Sequence, residues 1–192
     1  DIRFRASYNR AIRAASILEA FSPDTVTNTS VVSVDPCAGV GGAAATATLA
    51  QCERTGVTAA QYGNGIPISA GGTDSIIQCP AGQCATLTGG NAHLAPEVAD
   101  TYSVGATFQP SFLHGFQGSI DYWDIQIAGE IGVVPLSTSF NNCLNGIDTA
   151  TFCPNVVRTP LGNLFGTTIA GGGYIVGTNQ NVAKVEVSGI DF

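Results

Sequence analysis

The sequence predicts an all-β chain: antiparallel strands of a transmembrane β-barrel with long disulfide-bonded loops, the barrel incomplete in this chain. Three observations predict it. Apolar and polar residues alternate in four separate runs, the period of a strand with one apolar and one wet face. Two very long irregular stretches separate these runs, while one short turn joins the middle pair. Six cysteines fall inside the long stretches, in three near-neighbour pairs. Short turns at one end and long loops at the other describe a membrane barrel. A secreted β-sandwich with one core face and one wet face gives the same alternation and stays open on pattern alone.

Composition narrows the function classes. The chain has 192 residues, enough for one ordinary domain, with 24 Gly, 7 Lys+Arg, 14 Asp+Glu and a net charge of -7. Charged residues are 11% of the total, against roughly 25% in a typical soluble domain. A sequence pI near 4.5 argues against a protein that grips nucleic acid through its phosphates. A mean hydropathy of +0.23 argues against a disordered acidic tail. With no Met and one Lys among abundant Gly, Thr, Val and Ala, a helical bundle is disfavoured. The charges are also uneven: residues 1–13 carry +3, and no basic residue lies between Arg54 and Arg158. Segments in different environments explain this better than one solvated surface.

The first strand is expected over 1–13, with Ile2, Phe4, Ala6 and Tyr8 on one face and Arg3, Arg5, Ser7 and Asn9 on the other. Residues 14–93 have no sustained period. They hold the low-complexity run Gly39 to Ala50, the turn-rich stretch 61–67 and the tight CPAGQC at 79–84. So long a loop is tolerable where disulfides hold it on a surface. The second strand is expected at 99–109, with Tyr102, Val104, Ala106 and Phe108 sharing a face. A short connection at 110–115 leads to a third strand at 116–131, and the two form an antiparallel hairpin. In that third strand the apolar positions change parity at Tyr122–Trp123, which predicts a β-bulge there. Residues 132–180 form a second long loop, with a hairpin of Leu164–Ile169 against Tyr174–Thr178 about three glycines. The last strand is expected at 182–192, Gly189 marking another bulge. Tyr8, Phe108, Phe116, Tyr122 and Trp123, near strand ends, suit interfacial girdles.

Helical membrane spans are not expected. The longest uncharged stretch, 159–183, carries Pro160 and a glycine triplet among Thr and Asn, too polar for about 20 predominantly apolar residues. No basic segment followed by an apolar one opens the chain, so no signal peptide is expected. Opening on one strand and ending on another, the sequence reads as an excised or processed piece of a larger protein.

The cysteine spacings favour three disulfides, with nearest-neighbour pairing as the hypothesis: Cys37–Cys52, Cys79–Cys84 and Cys143–Cys153. Zinc and free buried thiols compete, but no Cys-x2-Cys spacing occurs, and His93 and His114 stand apart from the cysteines. Disulfides imply an oxidising compartment. No catalytic motif is present: no G-x-S-x-G, no H-E-x-x-H, no P-loop. Asp121 and Asp124 fall on opposite sides of a strand, and the Gly39–Gly42 run lacks the strand-to-helix setting for phosphate. No catalytic residue, cofactor or metal is therefore expected.

Several strings carry a family resemblance. Arg10-Ala11-Ile12-Arg13-Ala14-Ala15-Ser16-Ile17 through Phe21-Ser22-Pro23 resembles the "R-A-P-[NS]-[IL]-x-E-L-F-x-P" segment of TonB-dependent outer-membrane receptors, with Ala15 for the expected proline and Ala20 for the expected leucine. Gly90-Asn91 through Leu94-Ala95-Pro96-Glu97-Val98-Ala99-Asp100-Thr101-Tyr102-Ser103-Val104-Gly105 is similar to the family's "G-N-P-x-L-x-P-E-x-A-x-[ST]-x-[ST]-x-G". Asp121-Tyr122-Trp123-Asp124-Ile125 and Gly189-Ile190-Asp191-Phe192 resemble its next two strand signatures.

The resemblance implies part of a plugged barrel of about 22 strands that imports siderophores, cobalamin or saccharides with energy delivered by TonB. In the parent receptor the partners are the plug domain, TonB and membrane lipid, and the site is the bacterial outer membrane with extracellular loops. This chain holds a partial barrel and no plug domain. Arg3 and Arg5 on the presumed lumen face are candidates to contact the plug or an anionic ligand. Solvation and pairing with neighbouring carboxylates are the competing role. Loop aromatics Tyr62 and Tyr174 are candidates to touch a ligand. Four strands cannot close a barrel, and an open edge is not viable in lipid. The alternative is therefore a structural fragment that polymerises through its exposed edges into extracellular fibres, a homo-oligomer or filament.

Overall fold

The computed structural model of the chain describes residues 2–39, 45–62 and 76–192. Residues 40–44 of the low-complexity run, with most of the glycine run, and residues 63–67 of the turn-rich stretch lie outside it. In chain order the elements are β1 (Ile2–Arg13), α1 (Ile17–Phe21), β2 (Thr25–Thr29), α2 (Leu49–Arg54), β3 (Cys84–Thr88), β4 (Glu97–Phe108), β5 (Gly118–Gly132), α3 (Leu136–Asn145), α4 (Thr149–Phe152), β6 (Val156–Val157), β7 (Tyr174–Val176) and β8 (Gln180–Asp191). They divide into two units. One holds Asp1–Ala20, Ala92–Gly132 and Asn179–Phe192, the other Phe21–Asn91 and Val133–Thr178. Among the described residues no helix is long and apolar enough to cross a membrane.

The first unit is a four-stranded sheet in the order β1-β4-β5-β8, every neighbouring pair antiparallel. β1 runs against β4 from Ile2↔Phe108 to Arg13↔Glu97. β4 runs against β5 from Phe108↔Gly118 to Val98↔Ala128. The sheet does not close into a barrel. The connection from β4 to β5 is a short turn whose backbone is partly self-satisfied. Leu113 N–H donates to the Pro110 carbonyl at 3.1 Å and Phe116 N–H to the Leu113 carbonyl at 3.2 Å.

Two sequence expectations fail in this sheet. No bulge lies at Tyr122–Trp123, because β4 and β5 pair without a shift through both residues. The apolar residues change face there while the register stays constant. The irregularity lies instead between Ala128 and Glu130, at Gly129, whose φ of +70° is a conformation glycine adopts without a Cβ clash. Gly189 is not a bulge either. It sits in register opposite Trp123, and a Cβ there would come within 2.5 Å of the indole. Its role is to seat that ring.

The second unit is built from the stretches that read as irregular loops. β2 and β3 come from the first stretch, β6 and β7 from the second, and together they form one mixed sheet in the order β2-β3-β7-β6. β3 and β7 are the parallel pair, through Thr86↔Ile175 and Leu87↔Val176. Strands of two to five residues are too short to show a period. The expected hairpin of 164–169 against 174–178 does not form. Tyr174 and Ile175 pair with Val157 and Val156 instead, while the Leu164 carbonyl accepts the Ala85 N–H at 2.8 Å. The core joins both stretches: Val32, Cys79 and Cys84 pack with Phe140, Cys143, Val156, Leu164 and Ile175. Cys79–Cys84 and Cys143–Cys153 staple it, and Cys37–Cys52 staples a second cluster with Ala38, Ala47, Val57, Ile76 and Leu144. α2 is fixed by a capping box between Thr48 and Gln51, and α3 stops at Gly146, φ +75°.

Candidate functional site

The register of the four-stranded sheet sorts its side chains into two faces of opposite character. One face presents Ile2, Phe4, Ala6 and Tyr8 of β1 beside Phe108, Ala106, Val104 and Tyr102 of β4, then Ile120 and Tyr122 of β5 and Ile190 of β8. These apolar groups stand in the open, Phe4 83% and Ile190 60% exposed. The field ends at a pair of tyrosines, Tyr8 and Tyr102, with ring centroids 5.1 Å apart. The Tyr8 hydroxyl donates to Asp100 Oδ1 at 2.6 Å. Beyond the pair the same face turns polar. Arg10 lies 3.7 Å from Asp100 and Lys184 3.8 Å from Glu186, and Asp124 and Gln126 join them at 3.0 Å.

The opposite face has the reverse order. Its first rows carry Arg3, Arg5, Ser7 and Asn9 beside Thr107, Gly105, Ser103 and Thr101. Arg5 Nε donates to Asp121 Oδ1 at 2.7 Å, and a second guanidinium nitrogen pairs with Oδ2. The pair spans β4 because Gly105 lies between: a Cβ there would fall 1.8 Å from Asp121 Oδ1. The next row is closed by a Ser7–Ser103 hydroxyl bond of 2.8 Å. In those same rows β5 and β8 turn apolar: Trp123 stands beside Ser103 and over Gly189, and Ile125 with Val187 beside Thr101. The next row adds Ile127 with Val185 beside Ala99. Hydrophobicity therefore changes faces along β5 and β8 from Trp123 on, while β1 and β4 stay polar on this face through Asn9 and Thr101.

Arg13 closes the far end. Its guanidinium binds Glu97 at 2.6 and 2.7 Å and Glu19 at 3.0 Å. Glu97 also accepts the Ile131 N–H at 2.7 Å, and Glu19 accepts the Ser16 N–H at 2.7 Å. The Arg13 guanidinium, then the Ile131 amide, hold the Glu97 carboxyl down at about 2. Arg13 and then the Ser16 amide lower Glu19 as well. Four segments, β1, α1, β4 and β5, meet at this group. Ser16 and Glu19 form a capping box, since the Ser16 hydroxyl accepts the Glu19 N–H at 3.2 Å.

The second unit has its own buried ion pair. Asp35 and Arg158, with side chains 0% and 3% exposed, bond at 2.5 and 3.1 Å. Arg158 also donates to Thr55 Oγ1 at 3.0 Å and to the Gly162 carbonyl at 2.7 Å, and Asp35 accepts the Cys37 N–H at 3.0 Å. Every polar group of the pair is used, which is what makes a buried ion pair tolerable.

Of the residues singled out in the sequence, Arg3 and Arg5 share the polar face. Arg5 is engaged by Asp121, whereas Arg3 lines a pocket of about 130 Å³ with Thr107, Gln109 and Gln117. Asp121 and Asp124 fall on opposite faces. Tyr174 is buried, its hydroxyl donating to the Ile169 carbonyl at 3.3 Å. Tyr62 donates to the Ala47 carbonyl at 2.7 Å and packs on the Cys37–Cys52 cluster. The Tyr174 ring is therefore closed to a ligand, whereas Tyr62 is partly buried. Among the described residues no group of three His, Cys, Asp or Glu could hold a metal ion. Sequence reasoning missed Glu19, Glu97, Asp35 and Arg158. Ser16-x-x-Glu19 is a readable capping signal, but nothing in sequence joins Asp35 to Arg158.

A family model described as TonB dependent receptor-like, beta-barrel, matches residues 1–192, the whole chain. Comparison with curated proteins and with solved structures found no match.

Proposed function

The chain belongs to the TonB-dependent receptor β-barrel family, and we propose that it supplies wall strands and ligand-side loops to an outer-membrane importer of siderophores, cobalamin or saccharides. Receptors of this family are transporters rather than enzymes, and their partners are a plug domain and TonB. The observation that carries the reading is the one-sided apolar field on the four-stranded sheet, open along Ile2, Phe4, Val104 and Ile190. In water such a field is a liability; against hydrocarbon it is the outer surface of a barrel wall, and the Tyr8–Tyr102 pair is its interfacial girdle. The opposite face, with Arg3 and the Arg5–Asp121 pair, looks into the lumen toward plug or ligand.

Topology supports the placement of the loops. β1 and β5 run one way, β4 and β8 the other, so both long excursions leave the end of the sheet opposite the 110–117 turn. The excursions are extracellular, the turn is periplasmic, and the three disulfides form in the oxidising periplasm before insertion. β1 pairs only with β4 and β8 only with β5 among the described strands. In the receptor these edges receive the neighbouring wall strands. In a separated chain they are open to a second copy, which is the observation favouring filaments, and electron microscopy of that chain distinguishes the two.

The test is cell fractionation and uptake. The receptor bearing this segment is expected in the outer membrane, migrating faster in detergent gels unheated than boiled. Uptake of one ligand from a panel of ferric siderophores, cobalamin and oligosaccharides is expected to disappear when TonB is deleted. Recovery in the soluble periplasmic fraction overturns the reading.

A further inference from the structure

The turn between β4 and β5 has the wrong chemistry for water. Residues 101–120 contain no Asp, Glu, Lys or Arg, and the tip reads Pro110-Ser111-Phe112-Leu113-His114-Gly115-Phe116. Phe112 is 81% exposed, the most open phenylalanine of the turn, with Leu113 and Phe116 about half exposed. Phe116 stacks on Phe108 with centroids 6.0 Å apart. With Ile2 these side chains line an apolar groove of about 570 Å³. Polar atoms sit on another rim, where Arg3, Gln109 and Gln117 lie together.

The height of the apolar field makes the turn consequential. From the Ile2 row to the Tyr8 row the strand advances by about 20 Å. Tilted by about 40°, that covers only about 15 Å of a hydrocarbon band roughly 25 Å tall. Beyond Tyr8 the row of Arg10, Asp100, Gln126 and Glu186 closes the field, so the missing height lies on the turn side. Continuous with the field, Phe112, Leu113 and Phe116 supply it. Among the described residues, only the bonds from Leu113 N–H to Pro110 and from Phe116 N–H to Leu113 close the turn's backbone on itself. Its remaining polar groups therefore keep to headgroup level while the apolar side chains dip into the acyl region.

We propose that the 110–117 turn is embedded in the periplasmic leaflet, its groove filled by lipid acyl chains, and does not stand in periplasmic water. The inference rests on the barrel reading above. It places the turn's backbone at headgroup level, with Phe112, Leu113 and Phe116 reaching into the acyl region.

The test is nitroxide accessibility in the intact receptor reconstituted in phosphatidylethanolamine/phosphatidylglycerol vesicles. Among the described residues all cysteines are in disulfides, so single labels go to Phe112→Cys and, on the apolar field, Val104→Cys. Leu113→Cys is the second site should the Phe112 variant fail to fold. Oxygen enriches in hydrocarbon and a nickel chelate in water. Both the 104 and the turn labels are expected to be oxygen-favoured. An oxygen-favoured label at 104 with a nickel-favoured label on the turn overturns the embedded turn and leaves the barrel reading standing. A nickel-favoured label at 104 overturns the barrel reading and the inference with it.

Discussion

Arg13 and Glu97 are cross-strand partners that meet twice, Nε and a terminal guanidinium nitrogen donating to the two carboxylate oxygens at 2.6 and 2.7 Å. Two parallel charge-assisted bonds fix orientation as well as distance. The pair also aligns three strands, since Glu97 takes the Ile131 amide of β5. The Pro-Glu string that carries the family resemblance at Pro96-Glu97 is thus the acceptor of a clamp at the end of the strands.

The clamp makes a pH prediction. Glu97 is lowered from 4.5 to about 2, so it is the ionised carboxylate that the fold stabilises. Its contribution is fully present above pH 4.5 and is lost as pH falls through that value toward about 2. Glu19, lowered by the same guanidinium, acts in the same direction. Carboxyl carbon NMR is expected to show Glu97 titrating near 2. The wild-type minus Glu97→Gln difference in thermal midpoint should be flat above pH 5 and shrink below 4.5. A Glu97 midpoint at an ordinary carboxylate value removes the clamp.

Trp123, the single tryptophan of the chain, reports on the seat beneath it. A Cβ at Gly189 would lie 2.5 Å from the ring, so Gly189→Val must push the indole away from β8. The expected result is a red-shifted emission with easier quenching by acrylamide. Gly132→Ala is the control: the nearest atom to a Cβ there, on Val182, is 3.7 Å away, an ordinary contact. An unchanged spectrum for Gly189→Val places the ring elsewhere.

How far the sequence carried varies with element length. β1, β4, β5 and β8 each run for 12 or more residues, long enough for a period of two to declare itself, and Arg3 and Arg5 fall on one face by counting alone. The change of apolar parity at Tyr122–Trp123 was also visible. Its cause was not, because a bulge and a change of surroundings on the two faces leave the same trace in the sequence. In the second unit the strands are too short for periodicity, and β3 finds β7 at a distance of 89 residues, Thr86 opposite Ile175. The Asp35–Arg158 pair spans 123 residues and has no local signal. Nearest-neighbour cysteine pairing was readable because close spacing limits what folded geometry must do to join them.

Asp35 and Arg158 bury opposite charges with each carboxylate oxygen and each guanidinium nitrogen hydrogen-bonded. Removing one partner strands the other in the core, which costs about 3–5 kcal/mol. Arg158→Met is therefore expected to lower the unfolding free energy of the second unit by that amount, and Asp35→Asn to do the same. A double-mutant cycle checks whether the two losses share one cause, because coupled partners lose far less together than the sum of the singles. Additive losses would separate the two residues.

Thr86 gives the opposite sign. It lies in β3, 4% exposed, and its hydroxyl is the one buried side-chain oxygen or nitrogen without a hydrogen-bond partner among the described residues. An unsatisfied buried hydroxyl costs about 1–3 kcal/mol. Valine keeps the β-branched shape that suits a strand and exchanges the hydroxyl for a methyl group. Thr86→Val is expected to raise the thermal midpoint of the second unit, with its disulfides intact. Thr86→Ser, which keeps the hydroxyl and loses the methyl, should lower it. A destabilised valine variant would mean that the hydroxyl is satisfied after all, by water held between β3 and β7.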